Sequence, residues 1–139
     1  MNREIKFRGQ TRRKGERIIN IAGDKCDSKW VYGGIFPQNK GYDFALIYQQ
    51  EPKIEKFPVY ANTVGQYIGK TDKNEKEIYE GDIVRFYDED ELFVVEWDAD
   101  TARFVMSSET ITVDFDSYYG KQVEVVGNMY DNADLLKEV

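Results

Sequence analysis

Carboxylates are the side chains of this sequence that are numerous and clustered enough to do chemistry. The chain has 26 Asp and Glu against 19 Lys and Arg, and it has no histidine. Serine and cysteine hydrolases of the usual kind need an imidazole to take the proton of the nucleophile, and most zinc sites need imidazole or several thiolates. The composition therefore argues against those classes and leaves only carboxylate chemistry, with or without a metal ion.

The densest acidic run lies near the middle of the second half of the chain. Consecutive acids rarely converge on one ion, and this run lacks the spaced acids and the glycine of a calcium-binding loop. We therefore interpret it as a solvated hairpin tip that is a candidate for contact with a basic partner. Its members are Asp88, Glu89, Asp90 and Glu91.

Other acids have spacings that chemistry uses. Asp98 with Asp100, and Asp114 with Asp116, are two residues apart, which places side chains on one face of a strand, where a pair could do acid–base work or bind magnesium. The same alternation is typical of an ordinary solvated sheet surface. The segment 43–53 imitates the Asp…Glu-x-Lys layout of metal nucleases, but a proline interrupts the strand that such a site needs. We predict no catalytic residue, no metal site, no cofactor and no enzymatic activity.

Charge is divided unevenly along the chain. Residues 1–70 hold 13 basic and 7 acidic residues, a net charge of +6, and residues 71–139 hold 6 basic and 19 acidic residues, a net charge of −13. The N-terminal basic residues could lie on nucleic-acid phosphates. They could equally dock on the acidic second half of the same chain or a neighbouring one, and the low pI of about 4.7 favours this second reading. The candidate basic residues are Lys6, Arg8, Arg12, Arg13, Lys14 and Arg17.

The clearest sequence signals for strands and turns lie between residues 63 and 84. Alternation over residues 64–69 predicts a strand with one buried face, and the polar residues 70–76 predict a hairpin turn. Gly69 and Gly81 offer backbone angles that other residues resist, and Asn74 is one of the few other residue types that enter the left-handed region easily. Asp82 is interpreted as a turn acid that bonds local amides before a strand begins at residue 83, rather than as a catalytic group.

Four segments of the chain resemble, in order and spacing, the YopX family of bacterial phage and prophage proteins. They read TVGQYIGKTDKNEKEIYEGDIVRF from residue 63, IKFRG from residue 5, WVYG from residue 30 and VVGNMYDNADLL from residue 125. The resemblance implies a predominantly β, oligomeric protein of two small all-β parts, encoded by mobile elements and without an established biochemical activity. Relatives usually carry glycine where this chain has Glu75, which predicts that Asn74 takes most of the unusual turn geometry.

The rest of the sequence agrees with a mainly β fold of two subdomains, which we place at residues 1–62 and 63–139. Phe44, Leu46 and Tyr48 alternate along one strand and share a face, and the prolines near residues 52 and 58 predict an edge strand or linker. Further strands are predicted in the first part at residues 3–8, 18–22 and 30–36.

The second part is predicted to be an SH3-like barrel with a short C-terminal helix. Its strands share one apolar face and are expected at residues 83–87, 92–97, 110–116 and 121–126. Asp131 or Asn132 is expected to cap the final helical turn, and Leu135 and Leu136 are expected to close one end of the barrel.

The composition also predicts the cellular compartment of the protein. With a single cysteine, Cys26, no intramolecular disulfide can form, so the chain suits a reducing environment. No apolar run approaches the roughly 18 residues of a membrane span, and the polar start MNREIKFRG does not read as a secretory signal. We expect a protein of the bacterial cytoplasm without a membrane partner.

Two functions from different classes remain. The first is a non-enzymatic oligomeric protein that contacts a host or phage macromolecule, with an assembly that weakens in salt. The second is a nucleic-acid-associated module, in which the basic arm tracks the backbone and aromatic residues of the barrel stack on bases. The predicted stacking residues are Tyr67, Tyr79, Phe86 and Tyr87.

Overall fold

The structure, a computed structural model, describes residues 4–12, 29–36, 43–50, 53–86, 90–115 and 122–136. The chain divides into two compact units, and the division falls between Gln66 and Tyr67. We call residues 4–66 the N-terminal unit and residues 67–139 the C-terminal unit. The sequence had placed the boundary between residues 62 and 63.

The N-terminal unit is one antiparallel sheet. Its described strands follow the order β4-β3-β2-β1-β5, so β4 lies at an edge, as its proline predicted. A short 3₁₀ turn, Ala61–Thr63, leads from β4 into β5, and only the start of β5 belongs to this unit. The strands are β1 (Phe7–Arg12), β2 (Lys29–Ile35), β3 (Phe44–Gln49), β4 (Glu55–Tyr60) and β5 (Gly65–Thr71).

The first strand lies four residues later than the sequence predicted. Alternation over residues 3–8 had placed Ile5 and Phe7 on one side of a strand, but β1 starts at Phe7, and Ile5 is 65% exposed. The cause is pairing: Phe7 to Gln10 lie opposite Gly33 to Trp30, and this long partner sets the register of β1. The predicted strand at residues 18–22 and the residue Cys26 lie outside the described residues.

The core of the N-terminal unit lies on one face of its sheet. Val31, Ala45, Ile47 and Val59 are buried, and Phe7, Ile35 and Phe57 pack against them. The sheet curls so far that a Cβ built on Gly9 of β1 would lie 2.6 Å from Cγ2 of Val59 on β4. Glycine at this position therefore lets β1 and β4 pack in contact.

The C-terminal unit contains the rest of β5 and six further strands. The end of β5 pairs with β6, and the other five strands form an antiparallel sheet in the order β10-β9-β8-β7-β11. Strand β9 was not predicted, because Phe104, Val105 and Met106 form an unbroken apolar run without alternation. The strands are β6 (Glu77–Tyr79), β7 (Asp82–Phe86), β8 (Leu92–Asp98), β9 (Arg103–Ser107), β10 (Thr112–Asp114) and β11 (Val123–Asn128).

The five-stranded sheet is open. Strands β10 and β11 lie at its two ends and are not paired with each other among the described residues, so the SH3-like closure of the barrel is not confirmed. The predicted C-terminal helix is a single 3₁₀ turn, Ala133–Leu136. Asn132 does not cap it in the predicted way, because its Oδ1 accepts a hydrogen bond from the amide of Asn128, 3.1 Å away.

The core of the C-terminal unit is formed by one face of this sheet together with Ile78 of β6. Strand alternation turns Val84, Phe93 and Val95 into this core, as predicted, and the rings of Phe86 and Phe93 meet edge to face at 5.2 Å. Each fully buried side chain of this size contributes roughly 1.5–3 kcal/mol. The remaining buried members of the cluster are Ile78, Met106 and Val123.

Both units confirm the mainly β prediction. Strands account for 61% of the described residues, and all of the pairings are antiparallel. Within the described ranges, no helix has the length and apolar character needed to cross a bilayer.

Candidate interaction surfaces

The hairpin between β5 and β6 is held by a buried carboxylate. Asp72 is 1% exposed, and its Oδ1 accepts hydrogen bonds from the amides of Asn74, at 2.8 Å, and Lys76, at 2.9 Å. Its Oδ2 accepts a third, from the amide of Val125 on β11, at 2.9 Å. One side chain therefore shapes the turn and ties it to the edge strand of the sheet. The sequence predicted the chain reversal here but not this role of Asp72.

The left-handed residue of this hairpin is Glu75, with φ of 64°, so the prediction that Asn74 takes the unusual geometry is wrong. Glu75 thus has a backbone shape that glycine takes most easily. Asn74 is held in place by its own amide, which bonds to Asp72. The strain of a non-glycine residue in this region, about 1–2 kcal/mol, is offset by the bonds that Asp72 makes to both sides of Glu75.

The second predicted turn contains Gly81 and Asp82. Gly81 has φ of +91°, and a Cβ there would lie 2.8 Å from Cε2 of Tyr130. Its amide donates to the carbonyl of Val95, and its carbonyl accepts from the amide of Met129, both at 2.8 Å. Asp82 is 1% exposed, and its Oδ2 accepts a hydrogen bond from the amide of Tyr79 at 2.8 Å. Asp82 thus bonds a local amide. Gly69 also has φ of +91°, beside a shift in the β5–β6 register.

Two of the candidate basic residues near the N-terminus, Lys6 and Arg8, are wholly or partly buried. Arg8 is 5% exposed and lies on β1 with its guanidinium 4.5 Å from the ring centre of Trp30. Lys6 is half-buried, and its Nζ lies 3.6 Å from a carboxylate oxygen of Glu4. Arg12 is the last residue of β1, opposite Lys29. The residues Arg13, Lys14 and Arg17 lie outside the described residues.

The predicted base-stacking residues of the C-terminal unit are largely used for packing. Tyr79 is 2% exposed, and its ring lies 5.6 Å from that of Tyr67. Phe86 is half-buried and packs into the core against Phe93. The prediction that Tyr79 offers a surface to a base is therefore wrong, because the ring has no exposed face. Tyr87 lies outside the described residues.

The acidic residues Asp90 and Glu91 lie beside a groove on the outer face of the five-stranded sheet, opposite its core. Strand alternation turns Leu92, Val94 and Glu96 of β8 into this groove. The groove has a volume of about 560 Å³. The wall of the groove is lined by Leu135 and Leu136. The sequence had placed these two residues at the end of a barrel, so their predicted position is wrong. Asp88 and Glu89 of the predicted acidic tip lie outside the described residues.

A second surface lies on the outer face of the N-terminal sheet. Phe44 is 52% exposed, Leu46 36%, Phe36 40% and Tyr32 41%. The alternate residues of β3, Ala45 and Ile47, point into the core. The alternation of Phe44, Leu46 and Tyr48 predicted their shared face, but not that this face is the exposed one. We call this surface the aromatic face; it comprises Tyr32, Phe36, Phe44, Leu46, Tyr48, Pro58 and Tyr60.

The aromatic face is ordered by ring pairs between neighbouring strands. Phe44 lies opposite Tyr60 in the β3–β4 register, with ring centres 5.0 Å apart. The rings of Phe36 and Tyr48 pair diagonally across β2 and β3 with centres 4.8 Å apart, since Gly34 is the residue opposite Tyr48. The amide of Phe36 donates to the carbonyl of Leu46 at 3.1 Å. Tilted ring pairs at these distances are favourable. The face is thus preorganised, although its rings are not buried.

The model of the YopX protein family matches residues 22–137. The chain belongs to the YopX family. No curated protein matches the chain. The resemblance read from the four motifs is therefore confirmed, and YopX membership covers both units.

Asp98 and Asp114 of this YopX chain have local partners. Asp98 accepts hydrogen bonds from the hydroxyl of Thr101 and the amide of Asp100, and these bonds, the hydroxyl first, hold the pKa of Asp98 below its ordinary value. Asp114 pairs with Arg103 at 2.8 Å. Of the two spaced acid pairs, Asp100 contacts Asp98 through its backbone amide, and Asp116 lies outside the described residues.

One charge cluster joins the hairpin to β11. Glu124 accepts a hydrogen bond from Arg85 at 2.7 Å and lies 3.9 Å from Nζ of Lys73. The Arg85 bond, followed by the charge of Lys73, holds the pKa of Glu124 below its ordinary value. This is a structural ion-pair cluster. Within the described ranges, no three Cys, Asp or Glu side chains are placed to hold a metal ion.

Proposed function

We propose that this protein is a non-enzymatic interaction protein that assembles with copies of itself through the aromatic face. One observation carries the proposal: four large apolar side chains of one sheet face, Tyr32, Phe36, Phe44 and Leu46, are each more than a third exposed. Together they leave roughly 300 Å² uncovered, taking about 200 Å² for a whole aromatic side chain. Patches of this size on soluble proteins commonly mark contact sites.

The composition of the face supports a second copy as its occupant. Strands β3 and β4 add a single charged side chain to it, that of Lys56. A phosphate backbone needs several cations, so nucleic acid is a poor match for this face. Sheet faces pack on sheet faces about 10 Å apart, and a two-fold axis brings identical faces together. A standard interface buries about 800 Å² per partner, a little over half of it apolar, and the seven residues supply most of such an apolar centre.

The setting of the family supports a role in phage-carrying bacteria. The single cysteine of the sequence suits a reducing compartment, which supports the bacterial cytoplasm as the place of action. The nucleic-acid alternative has less support, because Arg8 and Tyr79, two of its central residues, are buried.

The test is sedimentation equilibrium of the full chain over a wide concentration range, in low and high salt. We expect a defined oligomer that persists in high salt, because apolar association is not screened as charge pairing is. Leu46→Glu, which places a charge at the centre of the face, should shift the chain to monomer. Ile5→Glu makes the same change at a site of the same unit that is 65% exposed, and should not.

Three results would contradict the proposal. A wild-type chain that stays monomeric at every concentration would remove it. Equal dissociation by Leu46→Glu and Ile5→Glu would show that the face is not the contact. An oligomer that dissociates only in high salt would point to the charge-driven assembly that the sequence alone predicted. Circular dichroism of each variant would exclude unfolding as the cause.

A further inference from the structure

We infer that the groove on the outer face of the C-terminal sheet binds a basic peptide segment of a partner protein that also carries apolar side chains. The site is separate from the aromatic face, and its proposed occupant is not a second copy. Two features of the groove support this: the charged residues that line it are all acidic among those the structure describes, and its floor and one wall are apolar.

The apolar part comes from two different elements. Leu92 and Val94 of β8 form the floor, since their neighbours Phe93 and Val95 point to the opposite side, into the core. The segment after β11 supplies the wall. Its members are Met129, 41% exposed, Leu135, 42% exposed, and Leu136. Apolar side chains of a partner could be desolvated here, and the volume of about 560 Å³ lies within the range of known binding pockets.

The charged part is of one sign. Asp90, Glu91, Glu96 and Glu109 line the groove, and no Lys or Arg of the described ranges does. Within the described residues none of these four carboxylates takes part in an ion pair; Glu91 accepts a hydrogen bond from the hydroxyl of Thr110 at 3.0 Å. Lysine and arginine side chains of a partner would complement this rim and set its orientation, while the hydroxyls of Ser107 and Ser108 offer further polar contacts.

The chain's own basic stretch is a poor candidate for this occupant. Its residues Phe7–Arg12 form β1, which has β2 on one side and β5 on the other. Freeing them would break the N-terminal sheet, and Arg8 is buried in it. A small cation alone is also a poor candidate, because it would leave the apolar wall unused. The groove therefore fits a segment that brings both a positive charge and apolar surface.

The test measures binding of labelled ten-residue peptides to the full chain by fluorescence anisotropy in low salt. An alternating Leu-Lys peptide carries both features, a Ser-Lys peptide keeps only the charge, and a Leu-Glu peptide reverses the charge. We expect the Leu-Lys peptide to bind about tenfold more tightly than the Ser-Lys peptide, and the Leu-Glu peptide not to bind.

Variants locate the site. Glu96→Gln with Glu109→Gln should weaken Leu-Lys binding about tenfold, and Leu135→Ser should weaken it about fivefold. The matched control, Glu75→Gln with Asp100→Asn, removes two exposed carboxylates of the same unit that do not line the groove and should leave binding unchanged. Leu46→Glu on the aromatic face should also leave it unchanged, so self-assembly and peptide binding fail independently.

The inference is overturned if the Ser-Lys peptide binds as tightly as the Leu-Lys peptide, or if the control pair weakens binding as much as the groove pair. Either result would mean non-specific attraction to an acidic protein. The absence of Leu-Lys binding at millimolar peptide would also overturn it. Tight binding of a peptide with the sequence of residues 6–17, compared with a scrambled version, would instead assign the groove to a second copy.

Discussion

The two units of this protein are both small antiparallel β structures, yet they hold their strands together by different means. In the N-terminal unit, a glycine removes a side chain so that β1 and β4 touch, and the hydroxyl of Thr63 accepts from the amide of Gln10 at 2.9 Å. In the C-terminal unit, buried carboxylates do the equivalent work: Asp72 bonds three amides and Asp82 bonds a fourth. A close glycine contact also occurs in the C-terminal unit, at Gly81, but among the described residues both buried carboxylates, Asp72 and Asp82, belong to that unit.

The surfaces of the two units also differ in their charge. The N-terminal unit presents a nearly uncharged aromatic face, whereas the C-terminal unit presents a groove with an acidic rim. A neutral face suits the proposed contact with a second copy, and an acidic groove suits the proposed basic partner. Because the two proposals use different surfaces, we expect different variants to remove them separately.

The chain has a reporter in each unit. Its two tryptophans are Trp30 on β2 and Trp97 on β8. Replacing Trp30 by Phe leaves the fluorescence of Trp97 as a signal from the C-terminal unit, and Trp97→Phe leaves Trp30 for the N-terminal unit. Each prediction about stability can then be measured in the unit to which it applies.

The largest effect is expected from the buried carboxylate of the hairpin. Asp72→Ala leaves three buried or half-buried amides without their acceptor, so the free energy of unfolding of the C-terminal unit should fall by about 3–5 kcal/mol. Urea unfolding followed by Trp97 fluorescence measures this. Asp72→Asn should cost about half as much, because one oxygen still accepts from Asn74 and Lys76 while the new NH₂ faces the amide of Val125.

An exposed acid of the same unit is the control for that comparison. Asp100→Ala removes a turn carboxylate and should change the free energy of unfolding by less than about 0.5 kcal/mol. Equal losses from Asp72→Ala and Asp100→Ala would refute the view that buried carboxylates hold the C-terminal unit.

The second effect concerns the contact of β1 with β4. Gly9→Ala introduces a Cβ at 2.6 Å from Cγ2 of Val59, and overpacking of this kind should lower the free energy of unfolding of the N-terminal unit by about 1–3 kcal/mol. Urea unfolding followed by Trp30 fluorescence measures it. Gly34→Ala is the matched control, since a Cβ there meets nothing within 4 Å.

A double variant sharpens this test. Adding Val59→Ala makes room for the new Cβ, so the pair should cost less than the sum of the two single changes. If the losses of unfolding free energy are additive, Gly9→Ala destabilises the unit through its backbone and not through packing against β4.

A gain in stability is expected at the left-handed position of the hairpin. Glu75→Gly relieves the strain of φ at 64° and should raise the free energy of unfolding of the C-terminal unit by about 1 kcal/mol, net of the greater freedom of glycine in the unfolded chain. The neighbouring Asn74→Gly should not stabilise, because Asn74 is outside the left-handed region. Stabilisation by Asn74→Gly and not by Glu75→Gly would return the unusual geometry to Asn74.

These residues show how far the sequence predicts the molecule. Alternation predicted which residues share a face on β3, β7 and β8, and Pro58 predicted an edge strand or linker where β4 lies, because period and proline act locally. The position of β1 was misjudged because pairing with β2 overrides the local alternation of residues 3–8. The open sheet could not be predicted either, since closure depends on which edge strands meet.

The candidate surfaces were harder to predict than the strands. The acidic residues Asp90 and Glu91 were found by their density, but the apolar wall that accompanies them comes from Leu135 and Leu136, more than 40 residues away in the chain. The aromatic face could not be read from β3, because Phe44 and Ala45 on its two faces are both apolar. Which of the two faces is buried depends on the neighbouring strands. From size alone the larger Phe44 would be expected inside, but Ala45 is the buried residue.

The smallest effect concerns Glu124 and would show whether exposed charge also stabilises the C-terminal unit. Its pKa is lowered in the folded chain, mainly by the bond from Arg85 and also by the charge of Lys73. A carboxylate with a lowered pKa adds stability above its ordinary pKa of about 4.3, and this contribution is lost as the pH falls through the lower folded value. Wild type should therefore be more stable than Glu124→Gln near pH 6, and the difference should shrink toward about pH 3.

Urea unfolding of the two proteins at a series of pH values, followed by Trp97 fluorescence, measures this difference. In an Arg85→Gln background the main donor is absent, so the same comparison should give a smaller difference that varies less with pH. A difference that is independent of pH, or one unaffected by removing Arg85, would mean that Glu124 acts through packing of its stem on β11. Of Asp72, Asp82 and Glu124, only the two buried carboxylates would then stabilise the C-terminal unit through their charge, and the contrast with the N-terminal unit would lie in the interior and not at the surface.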